Sequence, residues 1–140
     1  MAETESESRS TILVVDDKAD VVKVVTTILK ASGFRVLSAS DGLSALQISI
    51  DYPDKIDLLL SDIEMPGMTG PQLGINIKKS RPDMHVMLMS SLPGGDLLVL
   101  NYGWAFIRKP FLVKKLIAMV SAVLDSPNRS QGSYGYDTRK

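Results

Sequence analysis

Cysteine is absent from the 140 residues. There is therefore no disulfide frame, no thiol nucleophile and no zinc–thiolate centre. Histidine occurs once, as His85, with no metal-partner spacing around it, and is read as structural. Neither sign of charge is in excess, since sixteen Lys and Arg face sixteen Asp and Glu. Nothing in that balance favours nucleic acid or an anionic membrane as a partner. No apolar run is long enough to cross a bilayer, and residues 1–10 are polar and acidic, unlike a signal peptide. These absences fit a reducing cytoplasm. What remains is ordinary for a soluble globular protein, with 44% hydrophobic and 23% charged residues. The length suits one domain with a proper core rather than two.

Short apolar runs separated by turn residues set the organisation. Residues 11–15 form a β-branched run that predicts a buried strand and stops at Asp16 and Asp17. Val21, Val24, Val25, Ile28 and Leu29 recur at helical spacing, and Gly33 follows where such a helix terminates. Residues 34–39 predict a second strand. Ser40 or Asp41 can cap a second helix to about Ser49, with Leu43, Leu46 and Ile50 on one side. The run 56–60, broken only by Asp57, leads to Ser61 and Asp62 and then to a loop shaped by Pro66, Gly67 and Gly70. Residues 71–79 predict a short third helix, and 84–89 a fourth strand ending at Ser90. Pro93, Gly94 and Gly95 interrupt the chain before a weak fourth helix from Asp96 to about Asn101. Residues 104–108 predict a fifth strand ending at Lys109 and Pro110, a bond able to adopt cis. Tyr102 and Trp104 suit either the core or an exposed patch. Residues 111–124 predict a fifth helix with Leu112, Leu116, Met119, Val120 and Val123 as its core stripe. A disordered leader over 1–10 and a flexible tail over 126–140 are expected to flank one domain over 11–125.

Five strands alternating with five helices imply parallel pairing through right-handed crossovers, with helices on both faces of the sheet. In a doubly wound sheet of order 2-1-3-4-5, strands one and three are neighbours at the switch point, where ligands bind. Asp16 and Asp17, Asp62, Ser90 and Lys109 each follow a predicted strand, so all converge on one crevice. Three carboxylates together repel one another, and one keeps its proton unless cations compensate. Lys109 supplies one cation. A hard divalent ion such as Mg²⁺, held by carboxylates, a backbone carbonyl and water, can supply another. With the Ser90 hydroxyl added, the site suits a phosphoryl group, whose transfer depends mainly on positioning and charge neutralisation. A carboxylate can itself be the nucleophile. The residues thus point to Mg²⁺-dependent phosphorylation of Asp62.

The order Asp16-Asp17, then Asp62-Ile63-Glu64-Met65-Pro66-Gly67-Met68-Thr69-Gly70, then a strand ending in Ser90, then Lys109-Pro110-Phe111, resembles the receiver domain of two-component response regulators of the single-domain, chemotaxis-regulator type. The likeness covers roughly residues 11–124. It implies a flavodoxin-like three-layer α/β/α sandwich. It implies that Asp62 accepts phosphate from a histidine kinase or histidine phosphotransfer protein. Asp16, Asp17, Asp62 and the Glu64 backbone carbonyl would hold Mg²⁺, and Ser90 and Lys109 would bind phosphoryl oxygens. Phe106, three residues before Lys109, would be the switch aromatic. The fourth helix, fifth strand and fifth helix would form the surface that meets a downstream protein. This chain departs from the family pattern in having Ser rather than Thr at 90, Phe rather than Tyr at 106, and a short stretch between Ser90 and Lys109. Glu64 and Leu92 occupy positions that tune hydrolysis of the acyl phosphate in the family.

Two other functions compete. An aspartate-nucleophile phosphohydrolase would use Glu64 as general acid, two residues beyond Asp62, but no cap domain or substrate pocket is apparent. A phosphate-independent pseudo-receiver would be an interaction module only, which the intact acids and Lys109 argue against.

Overall fold

The computed structural model describes residues 9–99 and 102–127. Apart from residues 9–10 and 126–127, the expected leader and tail lie outside the described residues, as does the expected end of the fourth helix at Asn101. Among the described residues strands and helices alternate: β1 (Thr11–Val15), α1 (Ala19–Ala31), β2 (Arg35–Ala39), α2 (Gly42–Asp51), β3 (Leu58–Asp62), α3 (Gly70–Lys78), β4 (His85–Ser90), α4 (Gly95–Val99), β5 (Ala105–Arg108) and α5 (Val113–Asp125). The sheet has the order β2-β1-β3-β4-β5, and every pair is parallel, as the alternation of runs predicts.

β1 and β3 are buried along their whole length, which is why residues 12–15 and 58–60 are consecutively apolar. Successive side chains feed two separate cores. Leu13, Leu59 and Leu88 face one layer, where Leu73 and Ile77 of α3 and Ala45 of α2 meet them. Ile12, Val14, Leu58 and Leu60 face the other, against Val25 and Leu29 of α1 and Leu116 and Val120 of α5. Tyr102 and Trp104 stack with ring centroids 4.6 Å apart and join the first layer half-buried. The Trp104 ring lies over Gly74 of α3, where a Cβ would come within 2.9 Å of it.

Three helix faces differ from the expectation. In α2 the buried residues are Gly42, Ala45 and Ser49, while Leu43 and Ile50 are 71% and 66% exposed. Leu46 and Ile48 pack against the core half-buried, and the helix start sits close on the loop after β3, where a Cβ on Gly42 would fall 2.6 Å from Met68 Cβ. In α1, Val25 and Leu29 are buried but Val24 points to solvent. Leu112 is 76% exposed because it caps α5 in extended conformation (φ −80°, ψ 146°), outside the helical stripe. The short α4 begins at Gly95, right after the Pro93-Gly94 turn. Among the described residues no helix is long and apolar enough to cross a membrane.

Candidate functional site

The carboxyl ends of β1, β3, β4 and β5 all open on one side of the sheet, because all are parallel. Asp16 follows β1 directly and is fully buried. Asp62 is the last residue of β3 and is 6% exposed, whereas Asp17 is exposed. One carboxylate oxygen from each of the three lies within 4.8 Å of the others. Three hard oxygen donors so placed fit a hard divalent cation.

Lys109, the residue after β5, reaches into this cluster. Its Nζ lies 2.7 Å from Asp16 Oδ2 and 3.4 Å from Asp62 Oδ1. The other Asp16 oxygen, Oδ1, accepts the Lys18 backbone N–H at 2.9 Å, so both oxygens of this buried acid have partners. The Lys18 ammonium stands 3.9 Å from Asp17 Oδ1 in solvent. Burial and then the neighbouring Asp16 charge push the Asp62 carboxyl above the usual aspartate range, with Lys109 pulling against them. The Lys109–Pro110 bond is cis.

The loop after Asp62 is built tightly. Gly67 takes φ +85°. Gly70 N–H donates to the Ile63 carbonyl at 2.8 Å, and a Cβ on Gly70 would strike the Asp62 carbonyl oxygen. Thr69 and Gln72 then close a capping box, with Pro71 in the first turn, and α3 begins. The Thr69-x-x-Gln72 spacing was a legible start signal for that helix. Glu64 is exposed in this loop.

Ser90 ends β4, one residue beyond Met89, which is in register with Asp62. It is buried, and its Oγ accepts the Leu92 N–H at 3.0 Å. Phe106 is half-buried on β5, and its ring edge and Ser90 Cβ both come within 3.1 Å of where a Gly95 Cβ would be. The aromatic thus already lies beside Ser90, with glycine leaving room for it. His85 is half-buried at the start of β4, at the opposite end of the strand from the acids, and burial followed by the Lys78 charge lowers its pKa.

The structure therefore brings Asp16, Asp17, Asp62 and Lys109 into one cluster. Ser90 and Phe106 stand next to each other beside it. Sequence reasoning missed Lys18, because an exposed lysine carries no pattern. It also missed Arg108, which donates to the Leu92 carbonyl at 3.3 Å and approaches Asp96 Oδ1 at 3.7 Å.

A doubly wound parallel sheet with an acid cluster and a lysine at its switch point defines a class of α/β proteins whose chemistry sits outside the carboxyl strand ends. The family model for the response regulator receiver domain matches residues 12–121, and the chain belongs to that family, whose members are generally signalling domains of two-component systems. It is 29% identical over 125 residues to the sensor kinase CckA of Brucella abortus, covering 87% of this chain and 13% of that protein. It is 36% identical over 115 residues to the transcriptional regulatory protein YrkP of Bacillus subtilis, covering 81% of this chain and 48% of that one. The chain thus spans less than half the length of either relative. Among solved structures, a receiver domain from Clostridium thermocellum superposes with a TM-score of 0.76 at 27% identity, over 83% of this chain and 94% of that one. The CheX–CheY–BeF₃–Mg²⁺ complex of Borrelia burgdorferi gives a TM-score of 0.74 at 33% identity, over 84% and 90% of the two chains.

Proposed function

We propose that Asp62 accepts a phosphoryl group from the phosphohistidine of a histidine kinase or histidine phosphotransfer protein. A carboxylate oxygen of Asp62 would form the new P–O bond as the P–N bond to the donor imidazole breaks. The observation that carries this reading is the Lys109 ammonium set between two buried acids, Asp16 and Asp62. It is a fixed cation at the place where phosphoryl charge would arrive. Asp16, Asp17, Asp62 and the Glu64 backbone carbonyl would hold Mg²⁺, which supplies further neutralisation of phosphoryl charge when bound. The close grouping of the three acids supports that donor set, and the BeF₃–Mg²⁺ complex of the similar Borrelia protein is consistent with it.

Ser90 would give its hydroxyl to a phosphoryl oxygen, and Phe106, lying beside it, would register the change. The α4, β5 and α5 face would pass the change to a downstream protein. Its chemistry as a catalyst would be limited to its own phosphorylation and dephosphorylation, in the cytoplasm, without nucleic acid or membrane as partner. The test is intact mass after incubation with acetyl phosphate and Mg²⁺. Wild type should gain one phosphoryl group; Asp62→Asn and chelated wild type should gain none. An adduct that persists in Asp62→Asn would move the chemistry elsewhere, and turnover of a small phosphate ester without an adduct would favour a hydrolase.

A further inference from the structure

Arg108 and Ser90 are register partners on β5 and β4, so the guanidinium starts directly beside the switch hydroxyl. It does not turn towards the acids. One arm donates to the Leu92 carbonyl at 3.3 Å and the other approaches Asp96 Oδ1 at 3.7 Å. Leu92 is held from both sides, since its N–H donates to Ser90 Oγ at 3.0 Å. Its carbonyl also accepts the Gly95 N–H at 3.3 Å. Below this turn Gly95 presses against Ser90 Cβ and the Phe106 ring, with no side chain to spare. The segment from Ser90 to Asp96 is thus tied to β5 at its start by the Lys109 N–H, which donates to the Ser90 carbonyl at 2.9 Å, and further along by the Arg108 side chain.

We propose that Arg108 is a positioning residue for the switch, a latch that holds Leu92 where its N–H anchors the Ser90 hydroxyl oxygen in the β4–α4 turn. The inference rests on the phosphoacceptor reading above. When Ser90 turns to donate to a phosphoryl oxygen, the Leu92 N–H loses its acceptor or must follow it. To follow, Leu92 must draw its carbonyl away from both Arg108 and the Gly95 N–H. Phosphoryl capture and the latch therefore oppose each other. Release of Arg108 frees α4 and the guanidinium together, on the face assigned to the downstream partner. Arg108 touches neither Asp62 nor the phosphoryl group, and both its contacts are half in water, so its effect is modest and salt-sensitive.

The test is a double-mutant cycle with beryllium fluoride plus Mg²⁺ as the phosphoryl mimic, read by calorimetry. Arg108→Gln should tighten binding about two- to five-fold in the Ser90 protein. It should change nothing in a Ser90→Ala background, where no hydroxyl is left to hold. Arg108→Lys should lie between, because it keeps the charge beside Asp96 but loses the fork. A purely structural role for Arg108 predicts lower thermal stability with no change in affinity, or the same change in both backgrounds, and either result overturns the proposal. Should wild type fail to bind the mimic, the phosphoacceptor reading fails instead. The latch is then judged by hydrogen exchange of the Leu92 amide without ligand. Faster exchange in Arg108→Gln supports it and an unchanged rate overturns it.

Discussion

Lys109 Nζ lies 2.7 Å from Asp16 Oδ2, a salt bridge that joins the ends of β5 and β1 across the two strands between them. Asp16 is fully buried, so the bridge operates largely out of water. It passes over the end of β3, where Asp62 stands 3.4 Å from the same ammonium. One lysine is thus the resident counter-charge of two acids.

Replacing Lys109 by Gln leaves the acids with no protein cation between them. The expected loss of stability at neutral pH is about 3 kcal/mol, the usual range for stranding a buried charge. Millimolar Mg²⁺ should restore more stability to this variant than it adds to wild type, because a ligand that binds only the folded state stabilises it with the logarithm of its affinity, and the acids without their ammonium should hold the cation more tightly. Thermal melts with and without the metal decide the matter. Equal metal shifts in the two proteins would show that the ammonium does not act as the counter-charge.

Gly70 and Gly67 lie three residues apart and should respond differently to alanine. At Gly70 the added methyl meets the backbone carbonyl of Asp62 and cannot be accommodated without moving the end of β3. We expect a loss of about 2 kcal/mol and at least a roughly ten-fold slower rate of phosphorylation by acetyl phosphate. Gly67 has open space around it, and only its φ of +85° resists a side chain. Gly67→Ala should cost about 1 kcal/mol and leave the rate near that of wild type. A Gly70→Ala protein with an unchanged rate would contradict this account.

Arg81 ties the turn after α3 to the end of α2. Its guanidinium donates to the carbonyls of Ser49 (3.2 and 2.9 Å), Tyr52 (2.7 Å) and Asp54 (2.8 Å). Arg81→Gln strands these acceptors and should cost about 2 kcal/mol. Arg81→Lys should cost nearly as much, since an ammonium cannot span three carbonyls in a plane. Urea unfolding should show a lower midpoint with an unchanged slope. A lysine variant as stable as wild type would mean that charge alone is needed.

His85 supplies a pH dependence. Burial first, and the Lys78 charge second, depress its folded pKa below the ordinary imidazole value of 6.5. A depressed pKa contributes stability that is present above the unfolded value and is lost as pH falls through the folded one. Wild type should therefore weaken below pH ~6.5, and His85→Gln should lose less between pH 7.5 and 5.5. Chemical unfolding at the two pH values measures the difference. Equal losses would rule out the imidazole as the source.

The strands, their order along the chain and the strand-end acids were legible because they are local. Residues 11–15 and the run 56–60 leading to Asp62 read as buried strands since both faces of a central parallel strand are covered, and a turn follows each one. Asp16, Asp62 and Lys109 were then brought together by topology alone, as parallel strands carry all their carboxyl ends to one side. The helix faces were less legible. Leu43 and Ile50 share a side of α2, but periodicity says which residues lie together, not which side meets the sheet. The structure turns Gly42, Ala45 and Ser49 fully inward, with Leu46 and Ile48 half-buried at their sides.

The sequence by itself determined the architecture, the phosphoacceptor candidate and the charges around it, because those follow from short-range patterning and from the handedness of crossovers. Only the tertiary structure decided which acid Lys109 grips most closely, that Phe106 already lies beside Ser90, and that Arg81 and Arg108 clamp distant turns. Those partners are separated along the chain by 93 residues for Lys109 and Asp16 and by 16 for Arg108 and Leu92. A long cationic side chain can reach many acceptors, and nothing in local spacing says which one packing will bring within its reach.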